Sequence, residues 1–378
     1  MYIFSDTLIL GKPHVLMCAD VKVATYSERK WTIYRPELFP KGLDSSEGMM
    51  VDELGDESPR TNYSYRVWLA SRVLSIDRVY AKKLMLLLGL SQQSDLINKS
   101  RISMIYRAIS LLDSYWIKFG EDDDNTWDQL NLRKNSLSKA IATVALTGDS
   151  YTLQIKQLEY TAEVTTVGLC PKGWFRDDTG ILWLYKTDAN QQNYVNREIC
   201  ASNIIDCFNI YGNLKYDSVT MYDIACSKSR LMSDEEKSVV HAADIDVWSN
   251  INYGINVLEW ALQNYKKEVS QMLVIDYLIA NPDRHLRNWG IYQEVQTGDI
   301  LGLHELYDHN NAFDEMYMKD ETLPSVIDMS FTHKQLAEKY VEFSGLKLLR
   351  KPDFNEFPNK LAYDTFFKRC KNLNININ

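Results

Sequence analysis

Asp283 and Asn288 stand five positions apart in the segment Asn281-Pro-Asp-Arg-His-Leu-Arg-Asn288, and Asp308 follows 25 positions after Asp283 in Tyr307-Asp-His-Asn-Asn311. One carboxylate to accept a hydroxyl proton, plus an amide oxygen and a second carboxylate to hold a metal, is the set of groups that phosphoryl transfer uses. Asn281-Pro282 stops the preceding helix, so Asp283 is expected on a rigid turn rather than a mobile loop. Bringing a general base within reach of an alcohol is mainly a matter of such geometry. Mg²⁺ takes few protein oxygens beside phosphate and water, which suits Asn288 and Asp308 as its ligands. Arg284 and His285 are expected either to steady charge developing on the phosphate or to tie down the loop. A structural hydrogen bond to a loop carbonyl serves His285 equally well.

Upstream, Lys186 ends an apolar strand in which Leu182, Leu184 and Lys186 share one face by two-residue alternation. An ammonium on that face needs a partner, because burying it unpaired is costly. Glu198 heads a helical stripe of Ala201, Ile205 and Phe208, an inward face, and wants a counter-charge for the same reason. Together they match the strand lysine and helix glutamate that position nucleotide phosphates. The plain alternative is a lysine snorkelling from a strand end. The loop Thr165–Gly173 precedes them where a phosphate-covering loop belongs, and offers Thr166, Gly168 and Lys172. Its glycines do not spell G-x-G-x-x-G, and Pro171 removes a backbone donor. Asp276 either holds the catalytic turn by hydrogen bonds or faces solvent. Asp314 is local loop chemistry, and His304 and His309 lack the i, i+4 partner of a helical zinc site.

The elements that must position these groups divide the chain of 378 residues into three stretches. Residues 1–150 form an accessory region. It holds strand-like runs at His14–Tyr26 and Trp31–Tyr34 around a Ser-Glu-Arg-Lys turn, and an acidic solvated loop at Asp44–Glu57. One long helix over Tyr65–Leu90 ends at Gly89, and a second covers Ile102–Leu112. Residues 151–245 read as a small β-rich lobe: a strand at Leu158–Val164, strands flanking the turn Asp177-Asp-Thr-Gly180, and a helix over Tyr194–Ile210. Residues 246–378 read as a large helical lobe, with helices at Ile255–Tyr265, Glu268–Ala280, His333–Ser344 and Lys360–Cys370. The Asn-rich tail 372–378 is expected to fray.

Composition is that of a soluble globular protein, 45% apolar and 25% charged. A net charge of −9 without a Lys/Arg block counts against direct nucleic-acid binding and against an anionic membrane. No apolar run reaches eighteen residues, and Asp6 with no basic leader makes the N-terminus a poor signal peptide. The six cysteines form no C-x-x-C pair and fit a reducing compartment, so the cytoplasm is the expected setting.

Asp283-Arg-His-Leu-Arg-Asn288 resembles the D-R-H-x-x-N catalytic loop shared by phosphatidylinositol 3- and 4-kinases and the HipA-type bacterial kinases. Tyr307-Asp308 resembles the metal-binding acid of the HipA side. The likeness covers roughly residues 150–345. It implies an α+β, two-lobed protein-kinase-like fold, preceded here by an additional N-terminal α/β segment. It implies ATP and Mg²⁺, and transfer to Ser/Thr of a protein substrate, with autophosphorylation near Thr165 or Thr166. It also implies an adenine-binding hinge near Ser238–Ala242, which places Val239 and His241 at the nucleotide. HipA-type kinases often act as toxins neutralised by a small DNA-binding antitoxin, and residues 1–150 do not match their usual N-terminal domain. Two other readings share the site: a phosphoinositide-type lipid kinase, which the acidic surface disfavours, and a nucleotide-binding regulator without turnover, which the complete set of groups disfavours.

Overall fold

The computed structural model describes residues 12–51, 57–120, 122–149, 161–166, 168, 170–188 and 193–376. Two compact units divide the chain. The first holds residues 1–186, 231–240 and 292–301, and the second holds 187–230, 241–291 and 302–378.

The first unit contains a four-stranded antiparallel sheet in the order Lys30–Ile33, Val21–Ser27, His14–Cys18, Tyr115–Lys118. The run expected as one strand over His14–Tyr26 is a hairpin, broken at Ala19, where φ is 46°. The expected Ser27–Lys30 turn is built on Glu28 and Arg29, both left-handed (φ 51° and 63°), the geometry that matches the twist of a two-residue hairpin. The helix expected over Tyr65–Leu90 is two helices, Arg60–Ser71 and Ala81–Leu87. Between them Leu74 N–H donates to Val164 O at 2.8 Å, and Tyr80 takes a left-handed backbone at φ 65°. Tertiary bonds override helix propensity there. The helix expected over Ile102–Leu112 runs from Leu96 to Ile105, capped by the Asp95 carboxylate. The acidic stretch is not all solvated loop: Met49–Val51 pairs with Glu57–Pro59, and Asp44 is buried and accepts from Ser46 N at 2.8 Å.

The strand expected at Leu158–Val164 starts outside the described residues, and Ala162–Thr165 is a short helix capped by Thr161. The expected hairpin is present as Lys172–Arg176 against Leu182–Thr187, with Asp177 Oδ1 accepting from Thr179 N and Ile181 N across the turn. Described residues on both sides of position 150 share one core, in which Trp116, Trp127 and Leu130 pack with Ala162, Trp174 and Leu182. The divisions expected at 150 and 245 thus differ from the compact units.

In the second unit the helix Lys266–Leu278 packs against His333–Ser344, Val257–Asn264 and Lys360–Asn372. It is buried from Val269 to Leu278, so it carries no polar stripe and serves as the central rod. The helix expected to Ile210 is Tyr194–Ile205, and Asp188 Oδ1 accepts from Tyr194 N at 2.7 Å at its start. Asp314, read as loop chemistry, caps Glu315–Lys319 by accepting from Met316 N at 3.0 Å and Tyr317 N at 3.1 Å. Within the tail, Leu373 and Ile375 are buried. No helix among the described residues is long and apolar enough to cross a membrane.

Candidate active site

The rod Lys266–Leu278 ends at a turn where Ala280 adopts φ 49°, and the chain from Asn281 to Asn288 returns on itself. Arg284 lies at the centre, 2% exposed. Its Nε and Nη2 donate to Asp276 Oδ2 and Oδ1, each at 2.9 Å. Its Nη1 donates to Asn288 O at 2.6 Å and Tyr307 O at 2.9 Å, and Nη2 reaches His309 Nδ1 at 3.3 Å. A guanidinium can only donate, so His309 Nδ1 accepts and its proton sits on Nε2. Burial works against the charged form of Arg284, but the Asp276 carboxylate more than offsets it and pushes the pKa above the ordinary arginine range. Every N–H of this side chain is engaged within the protein. Arg284 therefore ties together the rod, the Asn281–Asn288 turn and the Asp308 segment. It acts as a positioning residue, the second of the two roles expected for it, that of tying down the loop.

Asp276 likewise belongs to this frame and does not face solvent, since its Oδ1 also accepts from Asn281 Nδ2 at 2.9 Å. Backbone bonds from Ala242 N to Trp289 O and from Ala243 N to Leu286 O, both 2.8 Å, fix the far side of the turn to the helix Ala242–Tyr253.

Asp283 projects from this frame and is partly buried. Its Oδ2 accepts from Asn311 Nδ2 at 2.8 Å, and its Oδ1 stands 3.9 Å from His285 Nε2. Burial pushes the Asp283 carboxyl above its usual range, the His285 ring and the Asn311 amide pull it back, and the Asp308 carboxylate pushes it up again. The Arg287 backbone N–H donates to His285 Nδ1 at 3.1 Å, so the ring proton lies on Nε2, the edge nearer Asp283. Asn288 spends its amide nitrogen on Asp283 O at 2.8 Å, which leaves its oxygen as the end turned from that contact. Asp308 sits in a left-handed backbone at φ 58°, unusual for a non-glycine residue and common where function dictates geometry. Its N–H donates to Tyr216 Oη at 3.1 Å.

His241 is buried beside this group. Tyr307 Oη donates to Arg287 O and lies 3.3 Å from His241 Nδ1, so Nδ1–H donates to Tyr307. Burial holds the ring down at about 3, aided by His304, Arg287 and His285, and it is neutral at physiological pH. His241 Nε2 is buried with no hydrogen-bond partner among the described residues. A buried orphan acceptor of this kind fits a polar group of a nucleotide. Glu198 is 1% exposed and accepts from Ser227 Oγ at 2.7 Å. The hard oxygens of Asn288 and Asp308 fit Mg²⁺ in type. The described residues contain no group of three His, Cys, Asp or Glu side chains arranged to hold a metal, and Mg²⁺ completed by phosphate and water does not require one.

The remaining candidates lie in the first unit. Lys172 and Lys186 are buried and directly opposite each other in the hairpin register, so both side chains share one face of the sheet. Gly168, at φ +105°, lies so close to Lys172 that an added Cβ would stand 2.4 Å from Nζ. Thr165 is buried and its hydroxyl donates to Ala162 O at 3.1 Å; the Thr166 hydroxyl also donates to Ala162 O and accepts from Trp174 Nε1 at 2.9 Å. Val239 N donates to Leu112 O at 2.7 Å. Sequence reasoning missed Asn311, Asn281, Tyr307 and His309 as parts of the site. All four stand inside the quoted motifs, and their signal was a cluster of amides and rings around two acids.

No protein-family model and no curated protein matches the sequence. Among solved structures, HipA in the Shewanella oneidensis MR-1 complex of HipA, HipB and operator DNA aligns over 95% of this chain and 88% of that chain, at 12% identity and a TM-score of 0.51. The Helicobacter pylori proinflammatory kinase CtkA aligns over 54% of this chain and 87% of that chain, at 13% identity and a TM-score of 0.40. The chain has the kinase-like fold of the HipA type.

Proposed function

We propose that this protein is an ATP- and Mg²⁺-dependent kinase that transfers a phosphoryl group to Ser or Thr of a protein substrate. The observation that carries the reading is the turn in which Asp283, Asn288 and Asp308 are held together by Arg284 and Asp276. Asp283 accepts the proton of the acceptor hydroxyl, and its raised pKa makes it a better base than an ordinary carboxylate. Asn311 orients its carboxylate, and His285 Nε2–H faces the same oxygen pair. Asn288 and Asp308 would hold Mg²⁺, which supplies charge neutralisation on the transferred phosphoryl group when bound. In this reading Lys186, Lys172, Gly168 and Glu198 are the candidates for the phosphate side and Val239 and His241 for the base, while the Thr166 hydroxyl is spent on Ala162 O and Trp174 Nε1.

The reading extends to the cytoplasm, which suits six buried cysteines with no disulfide among the described residues. It extends also to a small DNA-binding antitoxin, because the HipA structure is a complex with HipB and operator DNA. A short helix-turn-helix protein encoded beside this chain would support that pairing. The deciding experiment incubates the purified protein with γ-labelled ATP and Mg²⁺, alone and with cell extract, beside Asp283→Ala and Asp308→Ala. Label on protein seryl or threonyl groups in the wild type only is the expected result. Label on phosphoinositide instead would make it a lipid kinase, and nucleotide binding without transfer would make it a regulator.

A further inference from the structure

The first unit contains a buried cation whose fork is spent on the main chain. Arg78 lies between the helices Arg60–Ser71 and Ala81–Leu87 and is 3% exposed. Its Nη1 donates to Glu163 O at 3.3 Å and Thr166 O at 3.2 Å, and its Nη2 donates to Lys172 O. Those carbonyls belong to the two ends of the loop that the proposed function lays over the phosphates. The same connecting segment supplies Leu74 N–H to Val164 O at 2.8 Å, a second tie to the near end. Across the loop the Glu163 carboxylate accepts from Trp174 N at 3.0 Å and from the Thr161 hydroxyl, and its charge faces Arg78.

A buried guanidinium is expensive, so its contacts must be numerous and well placed for it to persist. A hydrophobic residue would fill this core at less electrostatic cost, but it would withdraw the Arg78 donor from three carbonyls. A lysine would keep the charge and lose the planar fork that reaches both ends at once. Lys172 is the residue with most to lose: its carbonyl is held by Arg78 while its ammonium lies against Gly168.

We propose that Arg78 is a positioning residue for nucleotide binding, acting by holding residues 163–166 and Lys172 in one frame. The stretch before residue 150 would then set the geometry of the phosphate loop. The inference rests on the kinase reading, and its test keeps the two apart. Arg78→Met, Arg78→Lys and a control core truncation in the four-stranded sheet, Leu16→Ala, are compared by KM for ATP, kcat and amide hydrogen exchange at Thr166 and Trp174. Arg78→Met is expected to raise KM for ATP at least 10-fold, Arg78→Lys by an intermediate factor, and Leu16→Ala less than twofold.

Exchange at the two amides is expected to quicken at least 10-fold in Arg78→Lys. A folded Arg78→Met with KM within twofold of wild type would overturn the proposal. If that variant does not fold, Arg78→Lys decides by the same twofold limit. If the wild type binds no ATP, the kinase reading has failed, and unchanged exchange in Arg78→Lys would then overturn the positioning role by itself.

Discussion

Arg284 and Asp276, eight residues apart and both buried, meet through two parallel hydrogen bonds of 2.9 Å, and the Asn281–Asn288 turn is closed by that pair. Removing one partner leaves the other charge buried alone, which typically costs about 3–5 kcal/mol. Asp276→Ala and Arg284→Met are each expected to lower unfolding stability by that order. The pair Asp276→Leu/Arg284→Met is expected to regain much of it, while phosphoryl transfer stays depressed because Tyr307 O and Asn288 O have lost their donor. Urea denaturation beside a transfer assay checks this, and a fully active double variant would refute the positioning role.

In the proposed reaction Asp283 must be ionised to take a proton. Its pKa is raised, so transfer is full above that value and falls as pH drops through it, earlier than for an ordinary carboxylate. Asn311 pulls the pKa down, so Asn311→Ala is expected to move the acid limb of the kcat profile to higher pH. Asp283→Ala should lower kcat by about 10²–10⁴-fold and abolish that limb. A limb that stays in place in Asn311→Ala would remove the link between this amide and the base.

His14, His304 and His241 are buried and neutral, with pKa values pressed by burial to about 4, 4 and 3. The folded chain therefore binds fewer protons than the unfolded one between these values and the ordinary 6.5. Stability is present above that range and is lost as pH falls through it. Each ring contributes on the order of 3 kcal/mol to that loss. The urea midpoint is expected to fall steeply from pH 6.5 to 4.5, and less steeply in His14→Gln. Equal slopes in the two proteins would exclude His14 as a source.

Gly168 combines φ +105° with no room for a side chain beside Lys172 Nζ. Gly168→Ala is expected to cost about 1–2 kcal/mol from backbone strain and to dislodge the Lys172 ammonium. Faster acylation of Lys172, followed by peptide mass spectrometry, reads the displacement directly. Unchanged labelling would mean that the lysine accommodates the methyl group.

The sequence was most readable where one rule dominates. The Asn-Pro stop before Asp283, the Asp177–Gly180 turn and the buried rod follow from local chemistry. The candidate acids were singled out by type and spacing. What stayed hidden depends on partners far along the chain. The break at residues 72–80 exists because Leu74 and Arg78 are bonded to residues 163–172. For Arg284 the residue type left phosphate stabilisation and loop tie-down open, and only its burial and its partners assign it to the scaffold. Ile375 reads as tail, and packing buries it.

The chain changes compact unit after residues 186, 230, 240, 291 and 301. Neither unit is thus a continuous stretch that can be cloned alone. Any truncation meant to isolate a half would amputate segments from both, including the stretch 292–301, where the Val295 carbonyl accepts from Cys18 Sγ–H. Synthesis on the ribosome has the same consequence: the first unit is not complete until its last stretch, residues 292–301, has emerged, by which time more than half of the second unit is already outside.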